Sequence, residues 1–266
     1  MLSCDLSTDF GIILFQIFGT IAFCMRTQRP FLFPYKVEGD SNYWDSELLT
    51  SLKKYTANPE NFPTKHHIND LLYNTHPLYN ISDEYTEIPD DVDNVMFEGN
   101  FRSHMYFRNE CEKIFEFIKL NALKLKFKTK FIEYFKQFNV CIDVDDSLPY
   151  EYYEKAIQTT LEMHDENTSI SYLVVIQETS EEIENIIHKL EINLNININI
   201  IFNENQDESQ KILLESACDV TIINDNNLSW WAGYFNTNGK IIYPYLWKGE
   251  VIDENLSPDT WVKIEF

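Results

Sequence analysis

From Val140 onward, short apolar runs alternate with segments whose apolar residues recur at helical spacing. Val140–Val144, Tyr172–Ile176, Ile196–Phe202, Val220–Ile223 and Lys240–Tyr243 read as strands. Tyr150–Met163, Glu181–Lys189, Asp207–Ser216 and Leu228–Asn236 read as helices between them. Such alternation with short connections predicts a parallel sheet with helices on both faces, an α/β domain over residues 139–266. Asn193–Ile201 alternates Asn with apolar residues, the pattern of an edge strand with one wet face.

Residues 1–138 are less regular and are expected to form a separate N-terminal domain. Phe10–Met25 is almost wholly apolar. As a helix it would span about 24 Å, short of the roughly 30 Å of bilayer hydrocarbon. Asp5 and Asp9 stand before it in place of a positive flank, and Gln16 lies in its middle. A buried first helix in a cytoplasmic protein is the expectation, with a membrane anchor as the alternative. Phe31–Phe33 and Val95–Phe97 read as strands, and Ser46–Tyr55 and His67–Tyr73 as short helices. Asn109–Phe138 reads as two helices broken near Lys126–Thr129. His66 and His67 are adjacent, so a helix would point them apart, which makes them weak metal ligands.

Charge narrows the function classes. The net charge is −22, and nucleic-acid binding, which needs clustered Lys and Arg, is not expected. The one basic stretch, Lys119 to Lys136, is interleaved with Leu, Phe and Tyr and reads as a solvated helix face. Gly is scarce at 7 residues, and no Gly-rich phosphate cradle is present, so a phosphate site must use side chains and helix ends. The 5 cysteines lack any C-x-x-C pair, which points to neither a disulfide framework nor a zinc site and favours a reducing compartment.

The stretch Val220–Phe235, V-T-I-I-N-D-N-N-L-S-W-W-A-G-Y-F, concentrates the candidate chemistry. A buried strand runs through Asn224–Asn227 into a helix, and an Asn there can cap the helix N-terminus. In α/β sheets that geometry places ligands beside the first helical turn. Spacing alone would make Trp230 and Trp231 core filler.

The same stretch resembles the S-S-F-S-W-W-G-A-W signature of family 11 glycosyltransferases, the α-1,2-fucosyltransferases. Other places agree in order along the chain. Asp9–Gly19 is similar to the family's opening motif through Gly11, Phe15, Gln16 and Gly19. Phe97–Phe107 is similar to a second motif through Gly99, Phe101, Ser103, Tyr106 and Phe107. Leu148–Ile157, Pro244–Trp247 and Pro258–Ile264 resemble later ones. The resemblance implies a GT-B architecture of two Rossmann-like halves. It also implies GDP-fucose as donor without a further cofactor, a glycan hydroxyl as acceptor, and inversion. It would place Gly11, Gln16, Asn227, Ser229, Trp230 and Trp231 on the donor side, and Gly99, Phe101 and Ser103 on the acceptor side.

The family's H-x-R-R-G-D motif is missing. At Val140–Leu148, Asp143 stands at the His position and Asp145 and Asp146 at the two Arg positions. The following Ser/Asp-rich segment is replaced by Gln177–Thr179. Exchanging cation for anion beside a diphosphate reverses a term of roughly 4 kcal/mol per pair at 4 Å and effective dielectric ~20. Three readings stay open for this acidic cluster. The chain is a relative that no longer transfers sugar and acts as a sugar- or protein-binding module. Alternatively, Asp143, Asp145 and Asp146 bind a divalent ion or act in catalysis. In the third reading they are merely solvated, and Arg102 or Lys248 supplies the cation. His104 is a candidate general base, against the plainer reading of a surface histidine.

Overall fold

The structure, a computed structural model, describes residues 1–35, 43–58, 72, 74–82, 84–163, 169–176, 179–202, 207–251 and 255–266. His66, His67, the expected helix around them apart from Leu72, and Gln177 and Glu178 lie outside the described residues. The chain divides into two compact units, Met1–Asn121 with Asp253–Pro258, and Ala122–Ile252 with Asp259–Phe266. The segment before residue 139 falls with the second unit because Phe131, Tyr134 and Phe135 pack against Cys141, Leu173 and Val175 of its sheet.

In the first unit, β1 (Ser3–Cys4), β2 (Leu78–Asn80) and β3 (Met96–Glu98) form a parallel sheet in the order β1-β3-β2. The apolar stretch is helix α1 (Phe10–Thr27), capped by Asp9, whose side chain accepts from the Ile12 amide. It is long and apolar enough to cross a membrane, yet 78% of the apolar window lies buried inside the protein. Phe31 and Phe33 make only isolated bridges, to Leu2 and Thr56, in place of the expected strand. The expected helix at Ser46–Tyr55 is instead two 3₁₀ turns, Tyr43–Asp45 and Thr50–Tyr55. Helices α2 (Cys111–Ile118) and α3 (Leu120–Lys130) break at Lys119, with φ 61°, and not near Lys126–Thr129. A lysine in the left-handed region carries no sequence signal, so the break could not be read in advance.

The second unit has the parallel sheet and alternation that the sequence predicts. Its strands are β4 (Phe138–Ile142), β5 (Ile170–Ile176), β6 (Ile198–Phe202), β7 (Val220–Ile222), β8 (Lys240–Pro244) and β11 (Val262–Ile264). They pair in the order β11-β8-β7-β4-β5-β6, all in parallel. A two-stranded ribbon, β9 (Leu246–Trp247) and β10 (Glu250–Val251), follows β8. β6 is an edge strand, as its alternating pattern predicts. Alternate residues face opposite ways, as the pleat requires. Val140, Ile142, Val174 and Ile222 meet α4 (Tyr150–Glu162) and α5 (Glu181–Leu194). Cys141, Leu173 and Val175 meet Leu214 of α6 (Glu208–Glu215) on the other face. Helix α7 (Asn227–Phe235) packs beside α6.

Gly99 sets a hard constraint in the first unit. Its φ is 137°, and an added Cβ would lie 2.4 Å from the Ile81 carbonyl oxygen. Left-handed strain costs about 1–3 kcal/mol before the clash is counted. Gly99→Ala is therefore expected to lower stability by at least about 2 kcal/mol, read as a reduced urea midpoint at unchanged m-value.

Candidate functional site

The sheet order of the second unit dictates where a ligand can enter. From β4 the chain winds outward to β5 and β6, then returns to place β7 on the opposite side of β4. At such a reversal the two carboxyl ends diverge, and ligands of open α/β sheets bind in the crevice between them. Here those ends are Asp143–Ser147 after β4 and Ile223–Asn226 after β7, leading directly into α7.

Polar residues at these ends knit the two loops together. Asn226 caps α7, accepting from the Ser229 amide at 2.8 Å. Asn224 accepts from the Asn226 amide at 3.0 Å, and its own amide donates to Ser229 Oγ at 2.9 Å. Asp225 takes the Ser147 hydroxyl on one oxygen at 2.5 Å and the Lys248 amide on the other at 3.0 Å. Tyr153 bridges the Asp145 amide and carbonyl at 2.8 and 3.0 Å, and Tyr152 donates to the Ile223 carbonyl. Asn227 is buried, and its Oδ1 has no hydrogen-bond partner. Among the described residues, the amides of Asn227 and Leu228 have no acceptor. They are orphan donors of a first helical turn and suit an anion.

The three aspartates of the sequence reading do not converge. Asp143 is 1% exposed and pairs with Lys211 of α6, Nζ to Oδ1 at 2.7 Å. Asp145 accepts from the Ser147 amide at 2.9 Å in a local turn, and Asp146 is exposed. Among the described residues no group of three His, Cys, Asp or Glu side chains could hold a metal ion. Lys211 is the residue that sequence reasoning missed. Its partner lies 68 positions away, and only the sheet brings them together. Burial works against the Lys211 charge, but Asp143 and Glu215 outweigh it and hold the ammonium above the usual lysine value. Glu215 lies 3.8 Å from Lys211, beyond hydrogen-bond reach, and both its carboxyl oxygens are buried without a partner. Burial, reinforced by Asp143, pushes the Glu215 carboxyl well above its ordinary range.

The remaining expected residues are placed as follows. Trp230 and Trp231 have no exposed surface. Trp230 stacks on Tyr234 at 4.8 Å, and Trp231 meets Phe235 at 5.2 Å. Ser229 is buried and bonded as described. In the first unit Gly11 lies buried in the first turn of α1. Gln16 accepts from the Ser7 amide at 2.8 Å and donates to the Asp5 and Gly99 carbonyls, each at 2.9 Å. A buried glutamine needs such partners, and these fasten the Gly99 turn to the end of β1. Phe101 is fully buried with φ 53°, and its ring fills the space where a Cβ on Gly19 would sit. Ser103 donates to the Asn255 carbonyl and caps the turn holding His104.

No protein-family model matches the sequence, and no curated protein matches it. Solved structures do match. A mutant of Arabidopsis thaliana FUT1 in complex with GDP aligns with TM-score 0.55 at 11% identity, over 97% of this chain and 71% of that one. NodZ α-1,6-fucosyltransferase, known from Bradyrhizobium, aligns with TM-score 0.51 at 10% identity, both soaked with GDP-fucose and co-crystallised with GDP. The two NodZ alignments cover 87% and 90% of this chain and 90% and 93% of those. The fold is that of a GT-B glycosyltransferase. At this identity the likeness concerns the fold.

The inward triad has a pH signature. The native state holds the Glu215 proton to higher pH than the unfolded chain, so stability falls as pH climbs above about 4.3. Glu215→Gln removes this loss. Its urea midpoint is expected to exceed that of the unmodified protein at neutral pH, with the gap closing toward about pH 4.

Proposed function

We propose that the protein is a glycosyltransferase of the fucosyltransferase type, taking GDP-fucose as donor and a glycan hydroxyl as acceptor. The observation that carries this reading is the β4/β7 switch point, where the amides of Asn227 and Leu228 open helix α7 with no acceptor among the described residues. A diphosphate there would gain from aligned peptide dipoles. Lys248 is the candidate cation, since its amide already rests on Asp225 at the same place. Lys211 is not available for that role, being spent on Asp143. Asn227 would offer its unbonded amide group to the donor, while Ser229, Trp230 and Trp231 would hold the helix start in position. Gly11 and Gln16 would complete the donor side, and Gly99, Phe101 and Ser103 would shape the acceptor side. The acceptor hydroxyl would attack the sugar's anomeric carbon opposite the leaving GDP, which departs with the bonding pair, so configuration inverts. The α-1,2 linkage rests on the sequence resemblance to family 11. The five cysteines, none of them in a disulfide, fit a cytoplasmic, reducing setting.

A second reading, a GDP-sugar-binding relative without transfer, is favoured by one observation. Asp145, Asp146 and Asp225 surround the switch point, and no arginine from β4 answers them. Calorimetry with GDP and GDP-fucose in EDTA, then with Mn²⁺, separates the readings when paired with a mass-spectrometric transfer assay. Binding in EDTA with transfer is expected, and Lys248→Ala is expected to weaken binding about tenfold, roughly 1.4 kcal/mol. Binding without transfer to any of a panel of galactosides selects the second reading. Binding only with Mn²⁺ assigns Asp145 and Asp146 to a metal, and no binding in either condition overturns both.

A further inference from the structure

In a chain of net charge −22, helix α3 and the turn after it form a basic island. Its inward face is fixed. Phe127 is buried, and Lys124 donates to the Phe235 carbonyl at 2.7 Å, its pKa drawn down by burial to about 8. Phe131 and Phe135 continue that face against the second sheet. The outward face carries Leu125 and Ile132, 65% and 57% exposed and seven residues apart. The Phe131 amide bonds to the Phe127 carbonyl, and the Tyr134 and Phe135 amides bond to the Phe131 and Ile132 carbonyls, so a tight turn follows the helix directly and both apolar side chains are exposed on this one segment.

Lysines line the same segment. Lys126 and Lys130 lie over the Phe127 ring, Lys130 also over Phe131, and Lys128 over Phe135, at 5.2–5.9 Å. Their ammonium groups therefore sit over aromatic rings, with Lys126 and Lys130 still exposed to solvent. Lys136 is exposed beyond them. No carboxylate lies within ion-pairing distance of Lys128, Lys130 or Lys136 among the described residues. Glu133 is the one acidic side chain from 120 to 136.

We propose that this face docks on an anionic phospholipid bilayer. Two exposed apolar side chains on a helix and its following turn, in a segment rich in lysine, suit shallow insertion into a fluid interface, with the ammonium groups at headgroup level. A protein partner would need a pocket shaped for each side chain, and the acidic remainder of the chain acts weakly beyond a Debye length of about 8 Å at physiological salt. The proposal is independent of the GDP-sugar reading.

The test is co-flotation of the full chain with vesicles of phosphatidylcholine alone, or with about one-third phosphatidylglycerol. Flotation is expected only with the anionic vesicles and is expected to fall as salt rises. Lys130→Glu with Lys136→Glu should abolish it, and Leu125→Ser with Ile132→Ser should reduce it at least about fivefold. Circular dichroism and GDP binding should stay unchanged in both variants, since neither touches the switch point. Failure to float on anionic vesicles at low salt would overturn the proposal. So would equal flotation on neutral vesicles, insensitivity to the lysine reversals, or capture of polyglutamate in place of vesicles.

Discussion

The second unit rests on one topological constraint, the return of the chain from edge strand β6 to lay β7 against β4. That return opens two strand ends side by side and leaves their polar backbone without sheet partners. Much of the local chemistry follows from satisfying them. Asn224, Asp225 and Asn226 supply a turn, a bridge and a helix cap. Tyr152 and Tyr153, buried side chains of α4, reach up to the same loops. Trp230 and Trp231 are fully buried on α7, which packs beside α6.

The same place carries an electrostatic conflict. A helix N-terminus with open amides favours an anion, while the aspartates around it oppose one. The buried Lys211 eases only the deepest of these charges. It neutralises Asp143, while burial pushes the Glu215 carboxyl beside it well above its ordinary range, so Lys211 is engaged inside the fold and not at the strand ends. Replacing a buried pair of this kind is costly on one side only, since an unpaired survivor must then be desolvated alone. The triad thus anchors α6 to β4. In the proposed function, Lys248 in the ribbon after β8 is the candidate cation for a diphosphate.

The architecture of the second unit was legible because its strands are buried on both faces and its helices are short and periodic. The edge placement of β6 showed in its Asn and Ile alternation. What stayed hidden was carried by long-range contacts or by very short elements. Ser3–Cys4 and Leu78–Asn80 are too brief to show a period, and Phe31–Phe33 looked like a strand but found only bridging partners. The role of Gln16 as a clasp on Gly99 spans 83 residues and has no local signal. Asp143 was visible as a departure from the expected motif, but its lysine partner was not. The tryptophan pair shows the reverse case, where the plain reading of spacing described the packing and the resemblance drew attention to the helix they support.

The most direct measurement is hydrogen exchange of the intact chain with and without GDP, read peptide by peptide. The account predicts slowed exchange at residues 143–148 and 224–231, including the amides of Asn227 and Leu228. Protection confined to other segments, with these two unchanged at saturating GDP, would contradict it.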